Sequence, residues 1–193
     1  MIRKIKTHED LEKYMSSDAK RFGRKITIKD MLLSNDDWHY YWYFRHLRLL
    51  EYHLNNKHRL RTIFWTIVHK IESNHLHLNT YPNTIGPGIR FYHVGNFSEI
   101  YPNAIVGANC TFLSGSVIGN KGIKLDPNCK TIVGDNCYFG LNCFVGGNIR
   151  IGNNVTIGTN AVVTHDIPDD AVVGGIPARV IRIKSKNEIN NKI

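Results

Sequence analysis

Ten histidines are spread unevenly through the 193 residues: eight precede residue 80, and only His93 and His165 follow it. An imidazole gives and takes a proton near neutral pH, so these two are the candidate proton-transfer groups of the second part. His165 stands in Val163-Thr164-His165-Asp166-Ile167-Pro168, a polar turn where a solvent-facing side chain is expected. His93 follows Arg90-Phe91-Tyr92 near the start of that part. The earlier histidines, among them His69, His75 and His77, invite a metal reading. No Cys or carboxylate set completes it, so no metal is expected. Four cysteines (Cys110, Cys129, Cys137, Cys143) have no CxxC spacing. Free thiols in a reducing cytoplasm are the simplest reading, and a disulfide framework is not expected.

The elements that position these groups change abruptly near residue 80. Of 16 glycines only Gly23 lies before residue 86, and all six prolines fall at or after Pro82. We therefore divide the chain into a helical part over 1–77, a second architecture over 78–183, and a basic tail over 184–193. In the first part Thr7 with Asp10, and Thr27 with Asp30, fit helix N-caps followed by an acid in the first turn. Leu60, Ile63, Phe64, Ile67, Val68 and Ile71 recur at three- and four-residue steps and form one apolar stripe. Helices are predicted near 8–22, 27–34, 36–55 and 58–76. The aromatic run Trp38 to Phe44 is expected to be core or subunit contact. Residues 1–80 carry 15 basic and 9 acidic side chains, residues 81–180 carry 6 of each, and residues 181–193 carry 4 and 1. The basic residues are dispersed and match no nucleic-acid module, so nucleic acid is not an expected partner. An acidic partner or an anionic membrane surface is left open. The start, Met1-Ile2-Arg3-Lys4-Ile5-Lys6, is not followed by an apolar stretch, so no secretory signal is expected. No apolar run is long enough for a membrane span.

The second part has a six-residue period. Val133, Phe139, Val145, Ile151, Ile157 and Val163 are each six apart, as are Val106, Phe112 and Ile118, and Ile85 and Phe91. Gly follows most of them, and Asn and Asp crowd the same turns. This is the hexapeptide repeat of a parallel β-helix. Each unit supplies a short strand and a tight turn, with its apolar residue pointing into a narrow prism. Three units close a coil, so residues 18 apart stack, and Cys137 and Cys143 fall on adjacent faces. The step from Ile118 to Val133 is 15 residues, not a multiple of six. The segment 120–131 must therefore loop out, and an excursion from a rigid scaffold is a candidate functional site.

Three stretches carry a resemblance: Ile85 to His93; the repeats with Ile118-Gly119-Asn120-Lys121-Gly122; and Gly174-Gly175-Ile176-Pro177-Ala178-Arg179. Over residues 78–183 the chain resembles hexapeptide-repeat acyltransferases, of the serine O-acetyltransferase type and the related capsule or exopolysaccharide O-acetyltransferases. The resemblance implies a left-handed coil and a homotrimer or dimer of trimers. It also implies acetyl-CoA as cosubstrate and His93 as the catalytic base that takes a proton from an acceptor hydroxyl. For coenzyme A it points to small residues that allow close approach (Gly140, Gly158, Thr159, Ala161), to the closing Pro177 and Ala178, and to Arg179, Arg182 and Lys184 for the phosphates.

The sequence departs from the serine-specific pattern where that pattern would clamp an amino acid. Tyr92 stands where an Asp precedes the catalytic His, residues 73–84 hold no Asp, and Cys129-Lys130 stand in place of an Arg-His pair. A sugar or polysaccharide hydroxyl is therefore the favoured acceptor, with L-serine the alternative. Tyr92, Glu99, Asn120, Lys121, Asp126 and Lys130 are the candidates to orient His93 or hold the acceptor. The terminal Ile193 resembles the docking residue of serine acetyltransferases and favours the alternative slightly. The rivals are a non-catalytic trimeric scaffold and a metal-dependent β-helix hydratase. The hydratase needs three His ligands where this part has two.

Overall fold

The computed structural model describes residues 3–93, 95–120 and 130–190. Four helices come first: α1 (His8–Lys20), α2 (Ile28–Leu32), α3 (Asp36–Asn55) and α4 (Arg59–Leu76). Short strands follow: β1 (Leu78–Asn79), β2 (Arg90–Tyr92), β3 (Ser98–Ile100), β4 (Ile105–Val106), β5 (Thr111–Leu113), β6 (Val117–Gly119) and β7 (Ile132–Val133). Then come β8 (Tyr138–Phe139), β9 (Phe144–Gly146), β10 (Arg150–Ile151), β11 (Thr156–Ile157), β12 (Val162–Val163), β13 (Ala171–Gly175), β14 (Ala178–Ile183) and a last short helix, α5 (Lys186–Asn190).

The helix starts follow the capping chemistry. Asp10 N–H donates to Thr7 Oγ1 at 3.1 Å, and the Asp10 carboxylate accepts from Thr7 N–H at 3.1 Å. At the second start the Asp30 carboxylate accepts from the Thr27 N–H at 2.7 Å and its hydroxyl at 2.8 Å. Each pair satisfies groups that a helix end leaves without partners.

Strands β1 to β13 form a left-handed parallel β-helix with three faces, ordered β1-β3-β6-β9-β12, β4-β7-β10 and β2-β5-β8-β11-β13, and β14 pairs antiparallel with β13. The six-residue apolar positions become three buried columns: Ile85, Val106, Val133, Ile151 and Ile167; Phe91, Phe112, Phe139, Ile157 and Val173; Ile100, Ile118, Val145 and Val163. The rings of Phe91, Phe112 and Phe139 stack at centroid distances of 4.8 and 4.3 Å. Ile105 pairs with Ile132, 27 positions on, whereas Ile132 pairs with Arg150, 18 positions on. Nine extra residues therefore enter between β6 and β7. Of the expected excursion, 120–131, residues 121–129 lie outside the described residues.

The helices close the first coil. Phe44 of α3 continues the ring stack, 5.6 Å from Phe91. Arg48, fully buried, donates to Asp18 at 2.9 Å and Glu51 at 3.0 Å, and to the backbone carbonyls of Ile85 at 3.0 Å and Gly86 at 2.8 Å. Asp18 in turn accepts from the Gly88 N–H at 2.7 Å, and Glu51 from the Asn83 N–H at 2.7 Å. One buried cation and two carboxylates thus satisfy backbone groups that the open end of a coil would leave unpaired.

Candidate active site

His93 sits on a widened corner. Core positions Phe112 and Ile118, and Phe139 and Val145, are six residues apart, but Phe91 and Ile100 are nine apart. The three extra residues fall between β2 and β3, and His93 opens that turn with a left-handed φ of 64°. This backbone costs a non-glycine residue energy. His93 and the neighbouring Tyr92 are exposed, with ring centroids 6.3 Å apart.

The helical part fixes this corner. Arg90 is buried, with its guanidinium 4.1 Å from the Phe22 ring and 4.5 Å from the Tyr92 ring, and it is ion-paired to Asp37 of α3. Tyr92 is thereby held from behind by a cation–π contact.

From this corner a groove of about 670 Å³ runs along the outer face of the coil. Tyr92, His93 and Arg21 mark its first end; Thr111, Leu113 and Tyr138 form its floor; Asn109, Asn136 and Asn154 form one wall; Lys184 and Ile189 close the far end. The Arg21 guanidinium, at the end of α1, donates to Thr111 Oγ1 at 2.7 Å. The Lys184 ammonium is mostly buried and donates to the Asn154 carbonyl. Among the described residues the groove's lining contains two permanent cations and no carboxylate. Such a groove favours an anionic ligand.

Asn109, Asn136 and Asn154 have φ of 57°, 59° and 56° and stack at one corner. Asn tolerates this conformation better than other side chains. Cys137 borders the groove but belongs to the inner corner column with Cys110. The hydrogen bond with Cys137, and burial after it, push the Cys110 thiol up, and all three described cysteines are free.

The other candidates are scattered. Glu99 lies on β3, in a different face from His93. Burial raises its carboxyl, and a hydrogen bond to Asn79 opposes that rise. It does not line the groove. Asn120 follows β6 and is half-buried. Lys130 is exposed, with its backbone N–H donating to Asn148 at 3.3 Å. Lys121 and Asp126 lie outside the described residues, as do Cys129 and Ile193.

Of the residues expected near coenzyme A, Lys184 alone lines the groove. Gly140 and Gly158 are stacked against the next coil, and Thr159 is exposed. Ala161 and Ala178 are buried completely. Pro177 follows a cis peptide bond. Arg179 donates to the Ala178 carbonyl at 2.9 Å, and Arg182 pairs with Glu188 at 2.8 Å. His165, half-buried, stands away from the groove. Among the described residues no group of three or more His, Cys, Asp or Glu is arranged to hold a metal.

Sequence reasoning missed Arg21, Thr111, Tyr138 and the asparagine wall. A signal existed: Asn136 and Asn154 are 18 apart, and Asn109 precedes Asn136 by that coil plus the nine-residue insertion.

Residues 130–165 match the bacterial transferase hexapeptide family (six repeats). Residues over 47% of the chain are 45% identical to the 2,3,4,5-tetrahydropyridine-2,6-dicarboxylate N-acetyltransferase of Halalkalibacterium halodurans, and the match covers 39% of that protein. The chain thus spans about two fifths of that curated relative's length. Among solved structures, it resembles the serine acetyltransferase of Neisseria gonorrhoeae, with TM-score 0.70 and 23% identity over 95% of this chain and 69% of that one. It also resembles the soybean serine acetyltransferase apoenzyme, with TM-score 0.73 and 24% identity over 89% and 69%. A third is the Brucella abortus serine acetyltransferase in complex with coenzyme A, with TM-score 0.68 and 21% identity over 91% and 67%. At these identities the structures establish a shared fold: helices followed by a hexapeptide-repeat coil.

Proposed function

We propose that this protein is an acetyl-CoA-dependent O-acetyltransferase with His93 as general base and a sugar or polysaccharide hydroxyl as acceptor. The observation that carries the reading is the position of His93 at one end of a groove whose far end holds Lys184 and whose lining, among the described residues, includes no carboxylate. β2 and β11 are separated by β5 and β8. Rungs of a sheet lie about 4.8 Å apart, so the two ends are roughly 14 Å apart along the coil. An extended acyl-pantetheine arm fits that span, with its phosphates at Lys184 and its thioester at His93. The serine acetyltransferase crystallised with coenzyme A supports the choice of cosubstrate.

In this mechanism His93 removes the acceptor's hydroxyl proton as the oxygen attacks the acetyl carbonyl. Backbone N–H groups stabilise the tetrahedral oxyanion. Its collapse forms the ester and expels the thiolate of coenzyme A, to which His93 returns the proton. The choice of acceptor rests on charge. A free amino acid brings an ammonium group, and no carboxylate lines the described groove to meet it. Tyr92 beside His93 instead offers an aromatic face and a hydroxyl, which suit a sugar ring. We place the activity in a homotrimer or a dimer of trimers.

The experiment is thiol release from acetyl-CoA by the purified chain. L-serine, free sugars, nucleotide sugars and oligosaccharides are compared as acceptors, and His93→Ala is run beside the wild type. Turnover on a glycan that vanishes in His93→Ala supports the proposal. Turnover on L-serine alone overturns the acceptor, and silence on every acceptor restores the scaffold reading.

A further inference from the structure

The apolar stripe of α4 faces away from the protein. Leu60 is 84% exposed, Ile63 58%, Phe64 57%, Ile67 56% and Ile71 64%. The opposite side of the same helix carries its buried residues, His69, Ser73 and Leu76, packed toward Tyr43 of α3. At 100° per residue the five exposed side chains span about 100° of the helix circumference, a continuous strip rather than scattered surface residues.

The charges beside this strip have one sign. Lys57, Arg59, Arg61 and Lys70 are exposed and make no ion pair among the described residues. No Asp or Glu occurs from 52 to 71, and Glu72 is bonded to His46 at 2.8 Å. Arg59 and Lys70 fall on one flank of the strip and Arg61 on the other.

We propose that this face of α4 docks on the surface of an anionic lipid bilayer, the strip entering the interface and the flanking cations meeting the lipid phosphates. The pattern of apolar residues bordered by Lys and Arg is that of a helix lying in a membrane interface. Charge favours an anionic surface over a second copy of the chain as the occupant. Two α4 helices packed antiparallel through this strip would set Arg59 of one against Lys70 of the other, whereas lipid phosphates meet every flanking cation. No helix among the described residues is long and apolar enough to cross a membrane, so the contact is peripheral.

The test uses the full chain in vesicle flotation, comparing phosphatidylcholine alone with phosphatidylcholine containing one third phosphatidylglycerol. The wild type should float with the anionic vesicles, less so as salt is raised. Phe64→Ser with Ile67→Ser should weaken this at least about tenfold, and Arg59→Gln with Lys70→Gln should remove most of the preference for anionic lipid. All four side chains are exposed, so thermal unfolding should be unchanged. No flotation with either vesicle, or equal flotation with both, overturns the proposal. So does a fall in the sedimentation mass of the assembly on Phe64→Ser with Ile67→Ser, because a second copy then covers the strip.

Discussion

The coil and the helical cap are held together in opposite ways. The coil repeats one solution: three apolar columns, each rung hydrogen-bonded to the next, with glycine where the neighbouring backbone comes close. The cap concentrates its buried charge at one joint, Arg48 with Asp18 and Glu51, which ties α1 and α3 to the first coil. Distributed packing gives a straight, stiff floor that can carry a groove across several rungs. A concentrated polar joint fixes one end of that floor, and the groove's reacting end is built there: Arg21, Phe22 and Asp37 of the helical part meet Thr111 and Arg90 of the coil beside His93.

The largest effect expected separates chemistry from architecture. His93→Ala should lower kcat by about 10² to 10⁴ through loss of the proton acceptor. The exposed ring contributes little packing, so the urea midpoint should stay within error of wild type. A large drop in the midpoint would show that the widened corner is part of the scaffold instead.

Next comes the joint. Arg48→Ala leaves Asp18 and Glu51 buried beside each other and strips the carbonyls of Ile85 and Gly86 of their donor. Removing one partner of a buried ion pair costs about 3–5 kcal/mol. Urea denaturation of the variant should show this loss. A cost under about 1 kcal/mol would mean that the cap is held mainly by its aromatic contacts, with Phe44 on Phe91.

Within the coil the effects should be smaller and local. A Cβ on Gly140 would lie 2.6 Å from the Thr159 nitrogen and 2.8 Å from the Gly158 carbonyl carbon, both backbone atoms of the next rung. Gly140→Ala should cost about 3 kcal/mol as the rungs are forced apart. Gly23 has φ of 67° but nothing within 4 Å of its Cβ position. Gly23→Ala should cost only the backbone term, about 1 kcal/mol. Equal costs would show that conformation rather than rung spacing sets the glycine requirement.

The coil was legible in sequence because a repeat states its own period. The columns and the site of the insertion follow from counting. The joint was not: Arg48 lies among Leu47, Leu49 and Leu50, and its partners come from Asp18 and from Ile85 and Gly86, far away in the chain. The period also hides neighbours. Glu99 is six residues from His93, yet successive strands belong to different faces, so it turns away. The asparagine wall was masked by the nine-residue insertion. The stripe on α4 was read correctly as one face, but periodicity cannot tell whether that face meets the core or the solvent.

The smallest effect should show the cap yielding to acid before the coil does. His69 is buried, and its Nε2–H donates to the Thr80 carbonyl at 3.0 Å, while Nδ1 has no hydrogen-bond partner among the described residues. Burial holds its pKa below the usual 6.5, and His53 shifts the same way, by burial and the nearby Arg61. The unfolded chain therefore binds protons that the folded cap refuses. This stability is complete above pH 6.5 and falls as the pH drops toward the folded value, with a slope of at most about 1.4 kcal/mol per pH unit for each histidine. Glu51 acts in the opposite sense: burial raises its carboxyl, so its contribution is present below pH 4.5 and is lost as the pH rises through its folded value. The urea midpoint should thus fall between pH 7.5 and 5.5 in the wild type and fall less in His69→Leu, which leaves Glu51 in place. Hydrogen exchange should place the first opened amides in α3 and α4, because the coil's columns contain no histidine. Acid opening that begins in the coil would reverse the assignment of the weaker region.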